Sequence, residues 1–213
     1  MSLDRGQVGQ RKTTERNTMQ FQPTSRQEEF VIDLMDQKTG GYYVELGAYH
    51  SKNGSNTYRL ETEFDWNGVS FEIVPELHKE ITENRKNPCI LGDATKFDYI
   101  KYFEENNFPN QIDYLQVDID SGYKLNGRPD GNHYLSLHGL IAVPLNKYRF
   151  TVITFEHDAN MYWRNVAMRD TQREILDSLG YSLVVREYHE DWWVDPNIVD
   201  LEKYRKHFKW ETL

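Results

Sequence analysis

Short β-prone runs alternate with stretches of helical spacing from residue 42 to residue 194, and this alternation restricts the fold more than any other feature of the chain. Tyr42-Tyr43-Val44-Glu45-Leu46, Val69-Ser70-Phe71-Glu72-Ile73 and Cys89-Ile90-Leu91 are the first three runs, and residues 112–118, 151–155 and 181–185 supply three more. Ser25 with Glu28 three residues on is a capping box, opening a helix that carries Phe30, Val31, Leu34 and Met35 until Gly40-Gly41. Ser55 is placed to cap a helix with Tyr58, Leu60 and Phe64, and Pro75 suits the first turn of one carrying Leu77 and Ile81. Residues 97–103 and 171–179 read as further helices. Trp192-Trp193-Val194 follows so closely on the sixth run that a hairpin, not a crossover, joins them. Strands alternating with helices specify a mostly parallel sheet covered on both faces, because right-handed crossovers put the helices there. The expected fold is α/β and Rossmann-like, with about seven strands.

The 213 residues suit one domain, residues 23–213, behind a polar arm, residues 1–22, with too few apolar groups to offset its ordering entropy. Asp and Glu number 34 against 25 Lys and Arg, a net charge of −9 that argues against coating nucleic acid or anionic lipid through bulk charge. No apolar run approaches the roughly 18 residues of a membrane span. The first residues lack the apolar segment of a secretory signal, so a cytoplasmic location is expected. Cys89, the single cysteine, can neither staple the fold nor build a Cys-rich metal site, and reads as a small buried hydrophobe.

In open α/β sheets ligands bind outside the carboxyl ends of the strands, near the reversal of strand order. The first strand ends in Glu45-Leu46-Gly47-Ala48, whose small residues let a ligand approach the backbone, although the dinucleotide spacing G-x-G-x-x-G is absent. Glu72 ends the second strand, where a carboxylate can accept both hydroxyls of an adenosine ribose. Gly92-Asp93-Ala94 follows the third, Asp118-Ile119-Asp120 ends the fourth, and Glu156-His157-Asp158 ends the fifth. Any one of Asp93, Asp120 or Asp158 is also a natural helix cap, whereas Glu45 and Asp118 lie in apolar runs where an unpartnered charge is costly.

Gly41-Tyr42-Tyr43-Val44-Glu45-Leu46-Gly47-Ala48, Ser55-Asn56-Thr57 with Leu60-Glu61, Trp66-Asn67-Gly68-Val69, Phe71-Glu72-Ile73-Val74-Pro75-Glu76, Asn84-Arg85, Ile112-Asp113-Tyr114-Leu115, Asp118-Ile119-Asp120, Glu156-His157-Asp158 and Leu179-Gly180-Tyr181 occur in this order. The set resembles the FkbM family of S-adenosylmethionine-dependent methyltransferases over residues 28–198. The resemblance implies a class I methyltransferase fold, S-adenosylmethionine as cofactor, and O-methylation of a hydroxyl on a sugar or natural-product-like small molecule. It puts Glu45, Gly47 and Ala48 beside the methionine part of the cofactor, Glu72 on the ribose, and Asp93 with Ala94 at the adenine, and Asp118 is grouped with these cofactor-facing residues. Asn56 and Thr57 fall where helix-opening residues approach the cofactor or cap the helix. Two positions depart from the family pattern: Tyr49-His50-Ser51 stands where a second glycine is usual, and Ser121 follows Asp118-Ile119-Asp120 in place of Asp-x-Glu-Gly.

A hydroxyl must lose its proton as it attacks, so a base at the ligand edge is expected. His157, flanked by two acids, is the first candidate and Asp120 the second, while a histidine in such a place also commonly bonds to neighbouring backbone. The glycine-rich residues 121–133 read as a loop beside the substrate site. Tyr188, His189, Trp192 and Trp193 offer either an aromatic platform or a hairpin core, and Arg164, Arg169 and Arg186 either recognise an acidic substrate or belong to solvated helix faces. Leu201, Tyr204 and Phe208 with Lys203, Arg205 and Lys206 form a basic amphipathic helix expected to dock on its own domain. Two other functions fit the residues: a metal-dependent enzyme holding Mg²⁺ or Mn²⁺ through Asp118, Asp120, Glu156, His157 and Asp158, and a non-catalytic binding module of the same fold.

Overall fold

A computed structural model describes residues 27–120 and 134–204. The elements run α1 (Gln27–Leu34), β1 (Tyr42–Leu46), α2 (Tyr58–Phe64), β2 (Asn67–Glu72), α3 (Pro75–Asn84), β3 (Cys89–Leu91), a 3-10 turn (Ala94–Lys96), α4 (Tyr99–Glu105), β4 (Gln111–Val117), α5 (Leu135–Ala142), β5 (Arg149–Glu156), α6 (Asn165–Ser178), β6 (Ser182–Arg186), β7 (Glu190–Val194) and α7 (Leu201–Tyr204). They build a seven-stranded sheet in the order β3-β2-β1-β4-β5-β7-β6. All neighbours are parallel except β7, which runs antiparallel between β5 and β6. The sheet is thus the mostly parallel, Rossmann-like one expected, and the hairpin anticipated at Trp192 completes it. Strand order reverses between β1 and β4, which puts the ligand edge at their carboxyl ends.

The central strands are apolar on both faces because helices cover both. One face packs Val44, Leu46, Leu115 and Ile153 against Phe103 of α4, Leu140 of α5 and Leu176 of α6. The other packs Tyr43, Tyr114, Val152 and Trp192 under Phe30, Val31 and Leu34 of α1 and Leu60 of α2. Each fully buried large apolar side chain contributes about 1.5–3 kcal/mol, so these two layers hold the strand ends in register.

Several helix boundaries differ from the sequence reading. Ser55 does not cap α2: its hydroxyl accepts from Thr57 N at 3.2 Å, Thr57 occupies the cap position, and Glu28 of α1 accepts from Arg59 N at 2.5 Å. The helix expected at 97–103 is present but starts at Tyr99, and a separate 3-10 turn precedes it at Ala94–Lys96, because an acid caps each in succession. Asp93 accepts from Thr95 N at the 3-10 turn, and Asp98 accepts from Lys101 N at the start of α4. Helix α5 was not anticipated, since Leu135-Ser136-Leu137-His138-Gly139-Leu140-Ile141-Ala142 is apolar nearly all round and shows no amphipathic period. Helix α6 starts at Asn165, well before residue 171, its first turns carrying few apolar residues besides buried Met168. Ser25, the arm expected at 1–22, the loop expected at 121–133 and residues 205–208 of the expected C-terminal helix lie outside the described residues. Among the described residues no helix is long and apolar enough to cross a membrane.

Candidate active site

The turn after β1 is built around Gly47. Its φ is +87°, and a Cβ there would come within 1.9 Å of the Asp118 carbonyl oxygen, so only glycine fits between the exits of β1 and β4. Gly47 N and Ala48 N both donate to Phe71 O, at 3.1 and 3.0 Å, drawing the turn over the end of β2. The chain beyond it is held from below. Glu80 accepts from His50 Nδ1 (2.8 Å), Ser51 N (3.0 Å) and Ser51 Oγ (2.7 Å), and these bonds hold its carboxyl down at about 2. Arg85 donates to Ser55 Oγ at 3.2 Å and to Thr57 Oγ1 and Tyr43 Oη at 3.0 Å each, while its Nε meets Glu61 Oε2 at 2.9 Å. The Arg85 and Glu61 side chains are buried. Sequence reasoning matched Asn84-Arg85 and Leu60-Glu61 but gave them no task, because a pair 24 residues apart leaves no local pattern.

The acids at the strand ends sit in different surroundings. Glu45 is buried in mid-sheet, where Ser70 Oγ donates to it at 2.5 Å and Asn56 N and Thr57 also bond to it. Burial raises its pKa against the lowering effect of Arg85. Glu72 accepts from Tyr49 N at 3.0 Å and Val74 N at 2.8 Å, one amide from each of two ligand-edge loops. Beside it Ile73 is 64 % exposed and Leu91, its neighbour on β3, 49 % exposed, apolar surface that the sequence reading did not single out. Asp93 accepts from Thr95 N, Thr95 Oγ1 and Lys96 Nζ, and the Lys96 bond leads in lowering its pKa, while Ala94 is buried behind it.

Across the β1/β4 reversal, Asp118, Asp120, Glu156, His157 and Asp158 line one pocket together with Ser136, Asn165 and Met168. Asp118 and Glu156 are hydrogen-bonded carboxyl to carboxyl: burial raises both, and the bond between them lowers Asp118 while it raises Glu156 further, which assigns the shared proton to Glu156. Burial, then the charge of Asp158, raises Asp120. His157 is 2 % exposed. Its Nδ1 accepts from Ala159 N at 3.1 Å and its buried Nε2 lies 3.8 Å from Asp191 Oδ1. Asp191 is clamped by Arg173 through two 2.7 Å bonds. Burial alone would raise Asp191, but His157 and Arg173 outweigh it and the carboxyl is lowered. Trp192 and Trp193 are buried in the hairpin, whereas Tyr188 is exposed, as is Trp163, which the sequence reading passed over. Among the described residues no three His, Cys, Asp or Glu side chains are grouped so as to hold a metal ion.

Sheet order, the Gly47 turn and the acids at successive strand ends define a class I methyltransferase fold. Solved structures share it: SAH-bound Podospora anserina methyltransferase PaMTH1 aligns at TM-score 0.53 and 11 % identity over 79 % of this chain and 77 % of that one. An O-methyltransferase from Bacillus cereus in complex with SAH aligns at TM-score 0.50 and 16 % identity over 83 % of each chain. No family model matches the chain. A stretch of 151 residues, 62 % of this chain, is 26 % identical to the multifunctional protein pyrABCN of Emericella nidulans and spans 7 % of that protein.

Proposed function

We propose that this chain binds S-adenosylmethionine and transfers its methyl group to a hydroxyl of a small molecule, in the manner of the FkbM family. The observation that carries this reading is the pairing, on one sheet edge, of a turn that admits only glycine with Glu72 beside exposed Ile73 and Leu91. These residues suit the cofactor: a carboxylate with two oxygens for the ribose hydroxyls, apolar faces for the purine, and Asp93 with Ala94 at its rim. The SAH held by the Bacillus cereus and Podospora anserina proteins supports the same cofactor here. When bound, the cofactor supplies a methyl group activated by a sulfonium.

The chain's own residues then have distinct tasks. Glu72 exchanges the amides of Tyr49 and Val74 for ribose hydroxyls. Glu45 and Arg85 fix the loop that follows Gly47, and Asp118 with Glu156 forms the floor at the reacting end. Asp120 would take the proton of the acceptor hydroxyl as its oxygen displaces the neutral thioether from the methyl carbon, the methyl–sulfur bond breaking as the O–C bond forms. It is preferred to His157 because the latter's Nδ1 is occupied by Ala159 N and its Nε2 is buried beside Asp191. Desolvation strengthens Asp120 as a base by raising its pKa.

Isothermal titration with S-adenosylmethionine and S-adenosylhomocysteine tests the reading. Saturable binding is expected for both, weakened about tenfold or more in Glu72→Ala, which removes charged hydrogen bonds worth about 1.5–3 kcal/mol. NADH is expected not to bind. Failure of both ligands to bind well-folded protein overturns the proposal in favour of a non-catalytic module.

A further inference from the structure

We infer that the acceptor is a hydroxyl compound carrying a cationic nitrogen, an amino sugar or amino alcohol, held by its ammonium group in the pocket at the ends of β4 and β5. This rests on the methyltransferase reading and narrows it.

Four carboxyl groups line the pocket, from Asp118, Asp120, Glu156 and Asp158, and no Lys or Arg is among its described lining residues. The remaining ionisable group, His157, is occupied by Ala159 and turned to Asp191. Ser136 Oγ is engaged by the backbone of Ile119, at 3.0 Å from its N and 3.4 Å from its O. Asn165, only 3 % exposed, adds an independent sign: its Oδ1 has no hydrogen-bond partner although it lines the same pocket. A buried acceptor without a donor is costly, and among the described lining residues acceptors predominate, with four carboxyl groups and the unpartnered Asn165 Oδ1. A ligand rich in N–H donors would satisfy them. A point ion fits poorly, because no three of the acids are grouped to hold one. An ammonium group fits better: it presents three N–H donors in different directions and forms charge-assisted bonds to separate carboxylates.

The rim agrees. Between Asp158 and Asn165 the chain exposes Met161 (56 %) and Trp163 (79 %), and Arg164 lies over one side of the Trp163 ring at 5.4 Å. An exposed aromatic ring on the segment that joins two lining residues, Asp158 and Asn165, suits both a cation and the C–H face of a sugar ring.

The experiment uses the full chain saturated with S-adenosylhomocysteine, titrated calorimetrically with glucosamine against glucose, ethanolamine against ethylene glycol, and spermidine. The amines are expected to bind at least about tenfold tighter than their neutral counterparts. That preference is expected to disappear in Asp158→Asn and in Glu156→Gln, each first shown to unfold at a temperature near that of the wild type. Equal binding of neutral and cationic members overturns the inference, as does the absence of binding by every amine while S-adenosylhomocysteine binds. Saturable Mg²⁺ binding that excludes the amines also overturns it, by giving the acids to a metal. Failure of S-adenosylhomocysteine itself to bind defeats the methyltransferase reading and this inference together.

Discussion

Arg85 and Glu61 show how much of the candidate site rests on a buried pair beneath it. Removing one partner of a buried pair strands the other charge, so Arg85→Met should destabilise the fold by about 3–5 kcal/mol in urea unfolding. The double variant Arg85→Met/Glu61→Gln should lose less than the sum of the two single changes, because neither charge is then left alone. Gly47→Ala combines a left-handed backbone with an overlap on Asp118 O. It should cost more than about 1–2 kcal/mol in the same measurement and abolish binding of S-adenosylhomocysteine. At this scale the sequence was informative about position and silent about partners. Glu72, Asp118 and Glu156 were found because strand ends are visible as the ends of apolar runs. The backbone bond of His157 was one of the two readings offered, but its approach to Asp191 and the links from Arg85 to Thr57 and Tyr43 were not found, because which distant neighbours a side chain meets is decided by how the chain folds back.

Among the elements, strands were easier to read than helices. As far as β6 the strands alternate with helices and carry β-branched or aromatic residues, whereas α5 is apolar nearly all round and hid its period. Yet α5 sets the exit of β4: Ser136 Oγ bonds to Ile119 on both sides of its peptide unit, and a Cβ at Gly139 would meet Ile119 Cδ1 at 2.7 Å. Ser136→Ala should therefore lower stability by only about 1 kcal/mol, the ordinary loss of a hydrogen bond. It should nonetheless shift Ile119 and with it Asp120. Amine affinity in the S-adenosylhomocysteine complex, compared with the thermal midpoint, separates the two effects: a fall in affinity larger than the fall in stability is expected.

The whole molecule carries buried acids whose titration is linked to folding. Burial pushes Glu190 up to about 8, against bonds from Trp192 and Gln27, and pushes Glu28 up to about 7 against its bond from Arg59 N. In the folded chain these carboxyls stay protonated through a range where the unfolded chain, with ordinary values near 4.5, has ionised them. The folded state then holds more protons, so the stability they confer is complete below about pH 4.5 and is lost as pH rises toward about 8. Thermal midpoints should fall between about pH 5 and pH 8, and Glu190→Gln should flatten that slope and raise the midpoint at its upper end. The strand order has a further consequence, for the time at which the fold can form. Because β7 lies between β5 and β6, a nascent chain that has emerged only as far as β6 presents the open hydrogen-bonding edge of β5 with no strand to pair with it. The sheet closes only once β7 has been made, and until then the growing chain exposes the kind of edge on which other chains aggregate.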